Sequence, residues 1–554
     1  MSSKSSTIDG GPSFAYVFGW VLVMLLALEA VTGAALAAFY SPSTTSAWAS
    51  VAYIQDKMPL GWLVRGLHFH GASALVIVAG IHLLQTAVFG AYKKPRHLVW
   101  WLGIILMMIV LGWAVTGYVL RWDQAGYWAN RVEVGIAAGT PIVGPAIRAL
   151  AIGGNEYGNL TLTRFYALHI VVMPGLVLAL VGAHVWLARR AGATPRRAGD
   201  ATPRWPAQTL RHAIAMAVVF AALLAYTVAQ DGADLAAPAD PAAAYDARPL
   251  WYFRWLFELR TIAGSFEQIA ALAAPAVVAG FLVALPLIDR DPEASMRKRL
   301  PFIAGVAGLL AIIGALTLAS FAADHADGEL AERQQQADQL ATRARQLAAK
   351  YGVPATGAQD VYTQGPFGHA RDLYKRRCAS CHAATSKDRK GPIIGAGHGN
   401  RAWFLGMMKT PSGDAYWGKT KLAKTPDEAM SPIELPEADL NDLAELLYAQ
   451  TGASDADAAK VERGTKLFDK ACNDCHSIAE GVLGQSAPEL FGVGSRDYYT
   501  SFIGNPKSPT HMRAEHSEMP RFDKELSIAD RDALAAYLVW LRTATQQDID
   551  TMER

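Results

Sequence analysis

Seven long apolar runs dominate the first part of the chain. They cover about 14–39, 68–90, 98–120, 165–188, 210–230, 268–288 and 301–322. Each is close to the roughly 20 residues that an α-helix needs to cross a bilayer. After Phe321 the apolar runs stop. The pattern predicts an all-α protein in which a seven-helix transmembrane bundle precedes a water-soluble part.

Basic residues set the expected orientation of the bundle. Lysines and arginines concentrate in the loops after the second, fourth and sixth runs. The positive-inside rule places these loops and the N-terminus in the cytoplasm. Seven crossings then carry everything after residue 325 to the periplasmic side of a bacterial inner membrane, with lipid around the helices. The first run is long and lacks a basic flank, so we expect a retained helix rather than a cleaved signal peptide.

The remainder of the chain is polar and contains a duplication. Residues 325–352 are rich in charged residues and helix formers, which predicts a solvated helical stalk or, alternatively, a partner-binding helix. Two segments follow, at about 366–453 and 460–545. Each has a Cys-x-x-Cys-His motif near its start and an amphipathic helix near its end. They are typical of a tandem repeat.

The Cys-x-x-Cys-His motifs are the attachment signature of c-type haem. The residues are Cys378, Cys381 and His382 in the first motif and Cys472, Cys475 and His476 in the second. The cysteines would bind haem covalently and the histidines would ligate iron. A redox dithiol and half of a zinc site are the alternatives. No other cysteine is present, so the chain has no iron–sulfur cluster of its own.

The sixth iron ligand of a c-type haem is usually methionine or histidine. Met430 precedes the last helix of the first segment, and Met519 has the same place in the second. We predict these two as axial ligands. The competing candidates are Met407, Met408, Met512 and His516.

Four histidines lie in apolar runs at two matching intervals. His68 and His82 are 14 positions apart, and His169 and His184 are 15 apart. On a helix, each pair shares a face and spans about 21–22 Å in height. Since both helices run inward, His68 is level with His169 on the outer side, and His82 with His184 on the inner side. Two bis-histidine haems b would satisfy the four rings; hydrogen-bonded core histidines are the alternative.

Other residues of these helices fit the same arrangement. Gly19 and Gly33, and likewise Gly103 and Gly117, repeat the 14-residue interval, and glycine permits close approach of a flat macrocycle; helix packing explains them equally well. Arg65 is expected to pair with a haem propionate or to anchor the interface. His70 points away from His68 and is expected to ligate nothing.

The chain closely resembles the cytochrome b of Rieske/cytochrome b complexes, especially the bf branch. The resemblance rests on "SVAYIQDKMPLGWLVRGLH", "FGAYKKPRHLVW", "VTGYVLRWDQAGYW" and "LTRFYALH" and on the 14/15 histidine spacing. Residues 205–325 resemble the separate three-helix subunit of that branch. The expected domains are a four-helix dihaem cytochrome b (1–200), a three-helix part (201–325), a stalk (326–365) and cytochrome c domains (366–453 and 454–554).

The resemblance implies a proton-translocating quinol:cytochrome c oxidoreductase. Quinol would be oxidised on the outer side. One electron would pass to a separate Rieske iron–sulfur protein and on to two c haems. The other would pass through two b haems to a quinone at the cytoplasmic face. A soluble or membrane cytochrome c or a terminal reductase would accept electrons, and a homodimer is expected. The net charge of +2 gives no reason to expect nucleic acid.

Three departures from the family pattern stand out. The family motif Pro-Glu-Trp-Tyr, whose carboxylate helps take a proton from quinol, reads Pro249, Leu250, Trp251, Tyr252 here. Leucine accepts no proton, so Glu258 and Tyr252 become candidate acceptors, with His70 worth testing. The position of the cysteine that holds an extra haem in the bf branch is Val17, so that haem is not expected. Arg121 stands where the family has proline.

Two rival functions remain open at this stage. A c haem without its methionine would permit quinol-driven peroxidase-like chemistry. Alternatively, the missing glutamate fits a transmembrane conduit that carries electrons from quinone to the periplasm without bifurcation.

Overall fold

The computed structural model describes residues 7–192, 201–291, 297–425, 429–512 and 517–553. The chain forms two compact units, Met1–Val361 and Tyr362–Arg554. The first contains the apolar helices and the second contains both Cys-x-x-Cys-His motifs.

The first unit is built from thirteen α-helices among the described residues. They are α1 (Phe18–Ala37), α2 (Ala47–Asp56), α3 (Gly61–Val88), α4 (His97–Tyr118), α5 (Gln124–Ala138), α6 (Gly144–Ile152), α7 (Asn159–Ala167), α8 (Met173–Ala191), α9 (Ala207–Ala229), α10 (Arg254–Ala263), α11 (Glu267–Ile288), α12 (Leu300–Ala326) and α13 (Gly328–Tyr351).

Seven helical spans in the described part are long and apolar enough to cross a membrane. They are Phe18–Ala37, Gly61–Val88, His97–Arg121, Asn159–Ala191, Ala207–Ala229, Trp251–Ile288 and Leu300–Ala326. The predicted all-α class with seven spans is therefore confirmed. One small exception is a two-stranded antiparallel sheet, β1 (Thr7–Asp9) with β2 (Ala201–Pro203), in which Ile8 pairs with Thr202.

Two helix pairs position the four candidate haem ligands. Helix α1 packs along α3, which carries His68 and His82, and α4 packs along α8. His169 and His184 lie on the continuous span formed by α7, a π-helical turn at Leu168–Val172 and α8. Buried Leu25 and Leu75 are part of the apolar core between α1 and α3. Apolar packing thus fixes the helices from which the four imidazole rings project.

An outer layer of short helices covers one end of the bundle. Helices α5, α6 and α7 pack around a buried cluster that includes Trp122, Tyr127 and Leu162. Asp123 caps the N-terminus of α5 by accepting from the amide of Gly126 at 2.8 Å. This layer holds α5 against the start of α11, where the Gln268 side chain donates to the Ile136 carbonyl at 3.0 Å.

Helix α13 is only partly the solvated stalk that the sequence predicts. The helix forms, but it contacts α2, and its residues Leu330 and Ala344 are buried. Arg345 pairs with Asp56 at the same surface. The charged composition hid this contact because the buried residues of α13 are few and mostly small.

The second unit contains eight further helices in its described residues. They are α14 (Gly368–Arg377), α15 (Ala379–His382), α16 (Arg401–Lys409), α17 (Glu437–Gln450), α18 (Ala458–Ala471), α19 (Arg496–Gly504), α20 (Ile528–Leu541) and α21 (Gln546–Glu553). They enclose two apolar cores, one around Leu443 and Phe468 and one around Leu534 and Leu541. Each core draws residues from both of the segments predicted at 366–453 and 454–554.

We predict that the contact between α13 and α2 protects α13 from proteolysis. Ala344→Glu would place an unpaired carboxylate in the contact with α2, which is strongly unfavourable. Tryptic cleavage at Arg343 and Arg345 in native membranes should accelerate about tenfold, corresponding to about 1.4 kcal/mol. Ala349→Glu, at an exposed position of the same helix, is the control. Equal cleavage rates for the two variants would contradict the contact.

Candidate haem sites

The outer histidine pair faces one common space. The rings of His68 and His169 have centroids 6.2 Å apart and lie nearly perpendicular, at 84°. A metal–imidazole bond is about 2 Å long. Two rings at this separation therefore leave room for one iron ion held from opposite sides, as predicted for the outer haem b.

Two threonines fix which nitrogen of each outer ring is free. The Thr32 hydroxyl donates to the Leu28 carbonyl at 2.7 Å, and the Thr116 hydroxyl donates to the Trp113 carbonyl at 2.6 Å. Each hydroxyl lies 3.0 Å from a ring Nδ1, of His68 and His169 respectively. Because each hydroxyl hydrogen is already used, Nδ1 must donate, and Nε2 keeps its lone pair for a metal.

These threonines were not predicted, although the sequence carries a signal for them. The dipeptide Thr-Gly occurs at Thr32-Gly33 and again at Thr116-Gly117, each time on a helix that carries no candidate iron ligand. A Cβ at Gly33 would come 3.0 Å from the His68 ring, and one at Gly117 would come 2.5 Å from the His169 ring. These glycines make room for the ligand rings as well as for a macrocycle.

The inner pair has a related but less complete environment. The rings of His82 and His184 are close enough to interact electrostatically, and a Cβ at Gly103 would come 3.4 Å from His184. The Nδ1 atoms of both rings are buried without a hydrogen-bond partner. Nothing lies within 4 Å of a Cβ built at Gly19, and this glycine is exposed. The two inner rings thus lie near each other, as the predicted inner haem b requires.

A π turn reconciles the unequal histidine intervals. His169 lies within the π-helical segment Leu168–Val172, directly before Pro174 in α8. A π turn holds one residue more than an α turn. The 15-residue interval from His169 to His184 therefore corresponds in rotation to the 14-residue interval of α3, which keeps both pairs level.

A buried carboxylate contacts the outer ligand ring. Glu29 of α1 is 6% exposed, and its Oε2 lies 3.0 Å from His68 Nδ1. A Cβ at Gly71 would come 2.1 Å from Glu29 Oε1, so glycine provides the space for this side chain. A carboxylate partner makes an imidazole ligand more basic. Glu29 was not among the residues predicted from the sequence, which were the histidines and glycines of these helices.

Arg65 is occupied by protein partners. Its guanidinium donates to Gln55 Oε1 at 2.7 Å and to the carbonyls of Ala233 and Asp234 at 2.8 and 2.5 Å. These bonds hold the chain after α9 against α3. Pairing with a propionate, the role expected from the sequence, would have to share a guanidinium that already makes three hydrogen bonds.

His70 and Arg121 also have structural partners. His70 Nε2 lies 2.8 Å from the Gly232 carbonyl, so this nitrogen must donate. Arg121 forms ion pairs with Asp123 at 2.8 Å and Asp234 at 3.1 Å. The cation that replaces the family's proline is thus neutralised within the chain.

The Pro249–Tyr252 motif begins a helical segment near α3. The Trp251 indole donates to Ser73 Oγ at 3.4 Å. Tyr252 lies within electrostatic range of Tyr118 and Glu133. Glu258 is half-buried farther along, on α10. The carboxylate beside Tyr252 is therefore Glu133 of α5, which the sequence analysis did not consider.

Glu133 has the properties of a proton acceptor. Both of its carboxylate oxygens are buried without a hydrogen-bond partner in good geometry. Burial raises the pKa of Glu133 to about 8, and the Asn130 amide opposes this shift only in part. An ionisable group with a pKa near neutrality in an apolar surrounding is a candidate general base.

The two Cys-x-x-Cys-His motifs share one local geometry. His382 Nδ1 donates to the Pro392 carbonyl at 2.9 Å, and His476 Nδ1 donates to the Pro488 carbonyl at 2.8 Å. Both bonds leave Nε2 free for a metal. A Cβ at Gly391 would come 2.5 Å from the His382 ring. The motifs are thus built to present one imidazole nitrogen each.

The alternative uses of the cysteines fit less well. Burial raises the pKa of the free thiols of Cys378 and Cys472 to about 11, whereas a redox dithiol has a lowered thiol pKa. The described residues contain no group of three or more histidine, cysteine or acidic side chains arranged for a metal ion. Covalent haem remains the best fit.

The predicted methionines do not lie with the motifs of their own segments. Met430 packs in the apolar cluster that contains Cys472, and Met519 packs in the cluster that contains residues of α14. This differs from the sequence interpretation, which placed each methionine with the motif of its own repeat. Of the competitors, Met408 is buried in the cluster of Met430, and His516 lies outside the described residues.

Comparisons with known proteins match four parts of the chain to known families. Residues 4–192 match the family Cytochrome b/b6/petB, 238–337 match Cytochrome b(C-terminal)/b6/petD, 369–449 match Cytochrome c, and 459–538 match Cytochrome C oxidase, cbb3-type, subunit III.

Curated relatives match about a third of this chain. Cytochrome b6 of Crocosphaera subtropica is 39% identical over 32% of this chain and 80% of its own length. The menaquinol:cytochrome c reductase cytochrome b subunit of Geobacillus thermodenitrificans is 38% identical over 32% of this chain and 81% of its own. A solved structure titled "Hyperthermophilic respiratory Complex III" matches with a TM-score of 0.50 and 27% identity, covering 57% of this chain and 86% of that one. The chain therefore belongs to the cytochrome b family, and it carries cytochrome c segments at its C-terminal end.

The Thr116 hydroxyl provides a specific test of the outer site. Thr116→Val leaves His169 Nδ1 without its acceptor, at a cost of about 1–3 kcal/mol. A less basic imidazole stabilises ferric iron less. The midpoint potential of the outer haem b should rise, and that of the inner haem b should not. Redox titration of both haems measures this.

Thr86→Val is the matched control, because Thr86 makes the same hydroxyl-to-carbonyl bond on α3, at 2.8 Å to Leu83, without a histidine. Equal shifts in the two variants would contradict the assigned role of Thr116.

Proposed function

We propose that this chain is the cytochrome b subunit of a bc/bf-type quinol:cytochrome c oxidoreductase, fused to its own c-type electron carrier. The observation that carries the proposal is the outer pair His68 and His169, whose free nitrogens face one iron-sized space. The names of the cytochrome b relatives agree with this activity.

Four haems would be held by the residues predicted from the sequence. His68 and His169 hold the outer haem b, and His82 and His184 hold the inner one. The two Cys-x-x-Cys-His motifs hold two haems c. When bound, the haems supply one-electron transfer across the bilayer and onward to the outer carrier. The protein contributes fixed imidazole orientation, close glycine contacts and an apolar surrounding.

The proposed activity needs an iron–sulfur cluster and other partners that this chain does not supply. All four cysteines lie in the two haem motifs, so a Rieske cluster must come from another subunit. Quinol is oxidised near Tyr252 on the outer side, and quinone is reduced on the cytoplasmic side. Cytochrome c or a terminal reductase takes electrons from the C-terminal unit on the periplasmic side. The complex is a homodimer in the inner membrane.

Glu133 accepts the quinol proton in place of the family's motif glutamate. It interacts with the Tyr252 phenol and is buried without a hydrogen-bond partner, while Leu250 accepts no proton. Tyr157 also lies near this carboxylate. A relocated proton acceptor favours bifurcating quinol oxidation over the simple conduit.

Replacing single membrane histidines tests the main proposal. His169→Leu and His184→Leu should each remove one haem b from the spectrum of the purified complex and reduce inhibitor-sensitive quinol:cytochrome c turnover by at least about 10²-fold. Covalently bound haem should be unchanged. His70→Gln, which keeps the bond to the Gly232 carbonyl, is the control and should retain both haems b. An absence of turnover in the unaltered complex with its Rieske subunit, for every quinol tried, would refute the proposal.

Glu133 makes a separate prediction about pH. A general base works above its pKa, so turnover should rise with pH toward about 8, the value to which burial raises the Glu133 pKa. Glu133→Gln should lower turnover by about 10²-fold and flatten this rise. Adding Leu250→Glu to that variant should restore part of the activity. The pH profile of quinol oxidation measures both effects.

Glu156→Gln, at an exposed position of the outer layer, is the matched control and should keep the wild-type profile. An unchanged profile in Glu133→Gln would show that another group takes the proton.

A further inference from the structure

The two cytochrome c segments exchange helices. Helix α14 of the first segment packs on α20 of the second, and α18 of the second packs on α17 of the first. The contact positions correspond, because Ala370 and Gly464 each lie eight residues before the first cysteine of their motif. Ala370 is 1% exposed in the α20 contact, and a Cβ at Gly464 would come 2.3 Å from the Asp442 carbonyl of α17.

Each methionine lies in the core of the other segment's motif. Met430 shares a cluster with Cys472 and Leu490, and the Leu490 amide donates to Ser477, next to His476, at 2.7 Å. Met519 shares a cluster with Ile394, whose amide donates to the His382 carbonyl at 3.1 Å. The same relation therefore holds in both directions.

Two glycine-rich turns mark where the chain crosses from one core to the other. They are residues 397–401 (Gly-His-Gly-Asn-Arg) and 492–496 (Gly-Val-Gly-Ser-Arg), and all four glycines have positive φ between 63° and 79°, a region that favours glycine. Gly397 donates to the Leu541 carbonyl at 2.8 Å, at the end of α20. Gly492 donates to Gln450 Oε1 at 3.1 Å, at the end of α17.

In each segment, the part after the glycine-rich turn makes polar contacts within its own segment, whereas the part before the turn makes them with the other segment. After the turns, Arg401 pairs with Glu445 within the first segment, and Arg496 pairs with Asp532 within the second. Before the turns, the partners belong to the other segment. Arg463 of α18 binds Asp442 of α17 at 2.7 and 2.9 Å, and His369 of α14 binds Asp530 of α20 at 2.7 Å.

We infer that the two c-type sites are interlaced, with the iron at His382 completed by Met519 and the iron at His476 completed by Met430. This inference rests on the proposed attachment of haem to both motifs. Each site then takes its histidine from one segment and its methionine from the other. The two carriers form one unit that folds and moves together, which excludes independent swinging of two cytochrome domains.

Single-haem variants of the full-length complex test the pairing. Cys378→Ala with Cys381→Ala leaves covalent haem only at the second motif. In this background Met430→Ala should abolish the methionine–iron charge-transfer band and make that haem high-spin, whereas Met519→Ala should leave the band intact. Cys472→Ala with Cys475→Ala should give the reverse result. Optical and electron paramagnetic resonance spectra provide the readout.

Each outcome decides one question. Loss of the band with Met519→Ala in the first background, and with Met430→Ala in the second, would overturn the interlaced pairing and leave the haem sites standing. Met408→Ala tests the other buried methionine of that core. If Met408→Ala abolishes the charge-transfer band and Met430→Ala does not, the iron ligand is Met408 and the assignment of Met430 is wrong. Absence of covalent haem from the unaltered protein would refute the proposed function instead.

A cleavage experiment avoids removing any haem. A protease site inserted between Ser454 and Asp455, both exposed in the connection between α17 and α18, allows the complete complex to be cut after assembly. In the interlaced arrangement the C-terminal fragment stays with the membrane fraction and keeps both charge-transfer bands. Release of a soluble fragment with an intact methionine-ligated haem would overturn the inference.

Discussion

The need to satisfy imidazole nitrogens in an apolar helix bundle is the constraint on which the membrane unit depends. Each ring has two nitrogens, and neither has water to bind. At His68 and His169 a threonine hydroxyl accepts from Nδ1, which leaves the Nε2 lone pair free for a metal. Helices α1 and α4 supply no ligand, yet each supplies a Thr-Gly pair that fixes the tautomer and makes room for the ring. The Thr-Gly pair is therefore one structural device used twice.

This constraint explains how much of the membrane site could be predicted from the sequence. The histidine intervals and the two levels follow from helix geometry, because 14 residues return to nearly the same face. The 15-residue interval of α8 does not obey a straight helix, and the π turn at Leu168–Val172 depends on Pro174 and on packing against α4. The docking of α13 through Ala344 was likewise hidden, because a buried alanine in a charged helix leaves no periodic signal.

The cytochrome c segments show a different limit of sequence reasoning. Each repeat contains the helices, the motif and the methionine of a complete site, so local pattern alone favours two separate domains. The helix contacts within one segment and between the two segments would be nearly equivalent, since Ala370 and Gly464 occupy corresponding positions in the two repeats. Chain connection distinguishes them: α17 ends at Gln450 and α18 begins at Ala458. Such a short connection favours an antiparallel helix pair, which leaves α14 to pack on α20.

Proton acceptance at the quinol site illustrates why a missing motif residue need not mean a missing function. The reaction needs one carboxylate of raised pKa in an apolar site, and more than one helix can supply that carboxylate. Glu133 of α5, within electrostatic range of Tyr252, is the group that we propose for this role. Since Leu250 leaves the motif without a proton acceptor, the relocation to Glu133 that we propose accounts for this departure from the family pattern.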